Sequence, residues 1–170
     1  MFSLRFKEDA IEHWAARNHS EDYLVFQSEI GPAVQKRGYM NRAEFLAMCE
    51  WKSPRTRSRC AKNSDDFIRE VTQVSLAADH EQLRIQVLTL LTGVGWPTAS
   101  VILHFCSAAP FPILDFRALW SLKAKPPTAY DFPFWWAYTE HCRAIAKRNH
   151  VPMRTLDRAL WQYSKEKQVA

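Results

Sequence analysis

The chain is 170 residues long and 47% hydrophobic, with seven tryptophans, which suits one compact domain or two small lobes sharing an interface. No apolar run is long enough to span a bilayer and Met1–Lys7 lacks the apolar stretch of a secretion signal, so a soluble intracellular protein is expected. The net charge of +5 suits a polyanionic partner, while Cys49, Cys60, Cys106 and Cys142 form no CxxC pair, which argues against a zinc or cluster site and for reduced, buried thiols.

Nearly every segment reads as helix, because apolar residues recur three and four apart and none alternates with period two. Lys7–Arg17 is a short amphipathic helix with Ile11 and Trp14 inward. Ser20, followed by Glu21 and Asp22, reads as an N-cap opening a helix towards Lys36, with Gly31-Pro32 as a kink or an early end. Asn41 caps the next helix, whose core face is Phe45, Leu46 and Met48. Ser53-Pro54 breaks the chain, and a basic loop or short helix carries Arg55, Arg57, Arg59 and Lys62; with Lys52 they make a run from Trp51 to Lys62 that contains no acid. That run, and the basic tail after His141, fit either a one-sided polyanion contact or two solvated surfaces. Ser64 with Asp65 and Asp66 starts a helix carrying Phe67, Ile68, Val71 and Val74; Asp79 with Gln82 resembles a capping box for a helix running to Leu91. Beyond a Gly-Val-Gly turn, Thr98–Phe105 is a small-residue helix, and Phe116–Lys123 is a short one that stops at Pro126-Pro127. Asp131-Phe132-Pro133 opens a long helix in which Trp135 and Trp136 point about 100° apart, one to the core and one to an interface. Pro152 starts the last helix, striped by Leu156, Leu160 and Tyr163, with Asp157 placed to pair with neighbouring arginines. The class is all-α.

Two segments carry chemistry. Leu91-Thr92-Gly93-Val94-Gly95-Trp96-Pro97-Thr98-Ala99 reads as a hairpin between helices. Two glycines around one small apolar residue let the backbone turn sharply and lie close to another molecule, and the helix that follows opens with N–H groups suited to a phosphate. Pro112-Ile113-Leu114-Asp115 then sets one carboxylate at the start of a short helix, where an Asp is ordinarily an N-cap. A phosphate grip with one placed carboxylate points to chemistry on a nucleic acid. The candidate substrate-facing loop is Glu50-Trp51-Lys52-Ser53-Pro54-Arg55, with Trp51 as base-pocket or wedge residue and Lys52 and Arg55 as base or phosphate contacts. A core-packed Trp51 with solvated charges is the other reading.

The hairpin and the aspartate together resemble the helix-hairpin-helix DNA glycosylases related to endonuclease III, over roughly residues 83–122. The hairpin is similar to that family's LPGVGxKTA motif, and Asp115 stands eighteen residues beyond Pro97, where the family places its catalytic aspartate. The resemblance implies a two-lobed, all-α glycosylase-like fold: one compact unit over 1–170, with a middle lobe at about 41–122 and a second lobe made by the N- and C-terminal helices. It implies that the hairpin Gly93-Val94-Gly95 and Thr98 hold a phosphate through backbone N–H groups. It implies that the carbonyls of Thr89, Leu91 and Val94 take a potassium or sodium ion, with no other cofactor and no iron–sulfur cluster. Asp115 would sit beneath the sugar of an extruded nucleotide. Members that also cut the backbone carry a Lys where this chain has Pro97, so the expected enzyme is monofunctional. It would hydrolyse the N-glycosidic bond of a modified base in double-stranded DNA, leaving an abasic site. The family commonly follows its aspartate with a small or hydroxyl residue and His; this chain has Phe116-Arg117, and Arg117 either contacts phosphate or pairs with Asp115. The expected protein is a cytoplasmic monomer, nucleoid-associated in a bacterium. A non-catalytic DNA-binding module and a protein-interaction domain are the rival readings.

Overall fold

The computed structural model describes residues 2–168; among them no residue is in a strand, and no helix is long and apolar enough to cross a membrane. The chain folds as two units, one built from both chain ends (up to Ser20 and from Pro110 onward) and one from Glu21–Ala109. The expected boundaries of the middle lobe therefore move at both ends. Residues 110–122 group with the chain ends because Ile113 is hydrogen-bonded to helices of that unit.

After a 3-10 turn at Glu8–Ala10, the terminal unit opens with α1 (Ile11–Ala16), which buries Ile11 and Ala15 and half-covers Trp14. The helix expected directly after Ser20 starts at residue 24, beyond a turn at residues 22–23, and Ser20 donates its N–H to Asn18 Oδ1 at 3.1 Å. The helix does not end at Gly31-Pro32 either. Phe26–Ile30 widens into a π-turn that runs into α2 (Gly31–Arg37): Pro32 has no N–H to close an ordinary turn, and Gly31 donates to the Phe26 carbonyl instead.

In the middle unit α3 (Arg42–Lys52) starts with a reciprocal capping box, Asn41 Oδ1 accepting the Glu44 N–H (2.9 Å) and Glu44 Oε2 accepting the Asn41 N–H (2.8 Å). Such a cap contributes about 1 kcal/mol. Its inner face is Phe45, Met48 and Cys49, and Leu46 lies at the margin. Ser53-Pro54 ends it as expected, and a 3-10 turn at Pro54–Thr56 leads into α4 (Arg57–Cys60). Helix α5 (Asp65–Ala77), capped by Ser64, buries Ile68, Val71, Thr72 and Ser75. Phe67 and Val74 are exposed; each precedes that stripe by one residue, and 100° of rotation carries both off the core face. The cap of α6 (Glu81–Gln86) is His80 rather than Asp79, its Nδ1 accepting the Gln82 N–H at 3.2 Å. A 3-10 turn at Val87–Leu90 leads to the hairpin and then to α7 (Trp96–Cys106), buried almost all round and the centre of this unit's core.

The terminal unit resumes with α8 (Phe116–Ser121), α9 (Phe132–Arg148, capped by Asp131) and α10 (Met153–Lys167). Helix α10 packs against α1, α8 and α9, and its stripe buries Leu156 and Leu160 completely. Tyr163, third in that stripe, is half-buried, its ring 4.8 Å from Phe6 and 5.0 Å from Trp14. Of the adjacent tryptophans, Trp135 is in the core and Trp136 is partly exposed. All four cysteines are buried and none is in a disulfide; burial pushes the Cys106 thiol up to about 12 and raises Cys49 and Cys142 as well. At neutral pH these three thiols stay protonated and are poor nucleophiles.

Candidate nucleic-acid interface and candidate catalytic aspartate

The hairpin belongs to the middle unit and Asp115 to the terminal unit. In the hairpin, the Leu91 carbonyl accepts the Val94 N–H at 3.0 Å, and buried Leu91 and Val94 seat the turn on the core. Gly93 has φ +86°, and a Cβ there would stand 2.7 Å from Cys60 Sγ and 2.9 Å from the Cys60 backbone N. Glycine is thus required twice at this position, by conformation and by the approach of α4. Gly95 differs. Its φ of −101° suits any residue, and a Cβ would meet nothing nearer than Pro97 Cδ at 3.8 Å. No neighbour within the chain asks for glycine there.

The N–H groups of Gly93, Gly95 and Thr98 take no part in the hydrogen bonds that close this turn. Gly95 and Thr98 flank the N-terminus of α7, where unsatisfied donors and the helix dipole favour an anion. Pro97 removes one donor while fitting the first turn. The turn is held from behind by Asn63, whose side chain was not singled out in the sequence. Its Oδ1 accepts the Thr92 N–H (2.8 Å) and its Nδ2 donates to the carbonyls of Thr92 (2.9 Å) and Cys60 (2.8 Å). Arg42 donates to the carbonyls of Ala61 and Asn63, so α3, α4 and the hairpin share one polar lock.

Among the basic residues, Arg59 flanks the hairpin, its Cβ 3.1 Å from where a Gly93 Cβ would stand. Arg55, Arg57, Arg59 and Lys62 are exposed and Lys52 is half-buried; Arg57 pairs with Glu50 at 2.9 Å. Trp51 is half-buried, with its ring edge-on to Phe26 (5.7 Å) and Phe105 (5.8 Å). The carbonyls of Thr89, Leu91 and Val94 offer hard oxygen donors of the kind a monovalent cation takes; that of Leu91 has one lone pair engaged by Val94 and one left.

Asp115 ends an extended segment, Phe111–Leu114, that is wholly buried. The segment is clamped on both sides of Ile113: Tyr138 donates its hydroxyl to the Ile113 carbonyl (2.7 Å), and Asp157 Oδ1 accepts the Ile113 N–H (3.2 Å). Asp157 also pairs with Arg154 at 2.7 Å, the pairing expected for the last helix. Ser121 donates to the Leu160 carbonyl (2.6 Å) and ties α8 to α10. The half-buried Asp115 carboxylate is therefore set on a rigid mount. Its Oδ1 accepts the Arg117 backbone N–H at 2.9 Å and caps α8. Tyr130, also missed in the sequence, lies within reach of this charge: burial first, and then the Asp115 carboxylate, raise its phenol above the usual value. The Arg117 guanidinium rests on aromatic rings, 5.1 Å from the centre of Phe116 and 5.4 Å from that of Trp161. No protein-family model, curated protein or solved structure matches the chain.

Proposed function

We propose that the chain is a monofunctional DNA glycosylase, acting as a monomer on double-stranded DNA that carries a modified base. The observation that carries this reading is the hairpin: Gly95, where an added Cβ would clash with no part of the chain, three N–H groups not used in closing the turn, and Arg59 alongside. A backbone phosphate fits that description, since it needs donors, a positive neighbour and close approach. Asp115, on its clamped segment, supplies the chemistry. A nucleotide must leave the stack before its glycosidic bond can be reached. As the base departs, the sugar gains positive charge; a fixed carboxylate stabilises it and takes a proton from the attacking water. Pro97 offers no amine for a Schiff base, so the product is an abasic site with the backbone intact. A potassium or sodium ion on the Thr89, Leu91 and Val94 carbonyls would stiffen the turn.

The test is a panel of duplexes carrying alkylated, oxidised, deaminated and hypermodified bases, with abasic sites revealed by alkaline cleavage. Asp115→Asn is expected to reduce base release at least about 100-fold and leave duplex binding within about twofold. Undiminished release in that variant sinks the mechanism. One observation favours a second reading: Asp115 Oδ1 is already engaged as the cap of α8. A non-catalytic DNA-binding module needs nothing more of it, and predicts salt-sensitive duplex binding with no abasic product from any substrate.

A further inference from the structure

Around the start of α8 the surface carries rings and cations in alternation. Phe116, the first residue of that helix, keeps 55% of its surface exposed. Arg117 lies between Phe116 and Trp161 of α10, and the Lys165 ammonium stands 5.1 Å from the centre of the same indole. Trp161 and Lys165 also line a cavity of about 550 Å³ with Arg17, His19, Gln162 and Glu166. Arg17 and Glu166 neutralise each other through two bonds of 2.9 Å, so Lys165 and Arg117 set the sign of the charge beside the rings.

A single strand of nucleic acid presents the complementary alternation: a flat base, a phosphate, a flat base. Paired bases inside a duplex offer no free faces to these rings. The cavity volume suits one nucleotide. We propose that the cavity beside Trp161 and the exposed ring of Phe116 form a binding site for single-stranded DNA. One base stacks on Trp161 and a neighbouring base on Phe116, with Lys165 and Arg117 on the phosphates. This rests on the reading that the chain works on DNA, and it adds a contact to unpaired strand.

The experiment is the fluorescence anisotropy of a fluorescein-labelled ten-nucleotide oligothymidylate and, separately, of a fully paired labelled duplex. Phe116→Ala alters an exposed side chain, and Lys165→Glu reverses an exposed charge. Each is expected to weaken oligothymidylate binding at least about fivefold and to leave duplex binding within about twofold. Three outcomes overturn the proposal: no oligothymidylate binding by the wild-type chain; a loss with Lys165→Glu but none with Phe116→Ala, the mark of charge alone; or tighter binding of the matching ribo-oligomer. Because no base release is measured, a chain that binds the oligomer but frees no base overturns the glycosylase reading and leaves this site standing.

Discussion

Gly93 and Gly95 differ in what a methyl group would cost. At Gly93 the added carbon meets Cys60 at 2.7 Å and the backbone is left-handed, so Gly93→Ala is expected to destabilise the chain by about 2–4 kcal/mol. At Gly95 the same change meets only an ordinary contact with Pro97 and an ordinary φ, and should shift stability by no more than about 0.5 kcal/mol. Its effect should appear in duplex affinity instead, as the phosphate is pushed off the N–H groups. Urea unfolding midpoints beside anisotropy titrations separate the two. A Gly95→Ala protein that binds duplex as tightly as wild type would show that no phosphate approaches the turn at this position. Both glycines stand out in the sequence by their spacing alone. Their division of labour does not, because it depends on α4, which the chain brings up from more than thirty residues earlier.

At the level of elements, the hairpin and the Asp115 segment are each held by a buried polar side chain from elsewhere. Asn63→Ala removes the partner of the Thr92 N–H and of two carbonyls, and is expected to cost about 2–3 kcal/mol. It should also weaken duplex binding, since the turn loses its backing; a variant less stable but equally tight on duplex would show that α7 alone positions the donors. Most helices were legible from periodicity and caps: Asn41, Ser64 and Asp131 cap where expected. Asp79 has the right residue type three before Gln82, yet His80 takes the position, because cap choice among adjacent polar residues is settled by where the chain enters. Asn63 and Tyr130 left no local pattern, and Tyr138 reads only as one more residue of the long helix after Asp131, with no sign of its bond to Ile113. A buried amide or phenol is defined by its partners, and here these lie 25 or 29 residues away.

At the scale of the whole molecule, the all-α class follows from the periodicity, whereas the division into units does not. Phe111–Leu114 has the composition of a Pro-bounded loop and is nonetheless core, which is why the boundary falls at Pro110. Two carboxylates staple the chain ends together. Glu8 accepts bonds from Arg148 and Asn149, and Glu166 from Arg17; the guanidinium in each case is the main cause that holds the carboxyl down to about 2. Since the usual value is 4.5, both are charged in the folded chain at pH values where the unfolded chain takes up protons. Their stabilisation is complete above about pH 4.5 and is lost as pH falls towards 2. The melting temperature should fall through that window, and Glu8→Gln with Glu166→Gln should flatten the fall; an unchanged acid limb in the double variant would show that other groups set it. The arrangement of the two units also orders the making of the protein. Glu21–Ala109 has its whole core once Ala109 has been synthesised, whereas α1 waits for α10, across a gap such as the 140 residues between Asn18 and Arg158. A nascent chain that has reached Ala109 thus carries one finished body and one bare helix, which stays uncovered until α10 has been made.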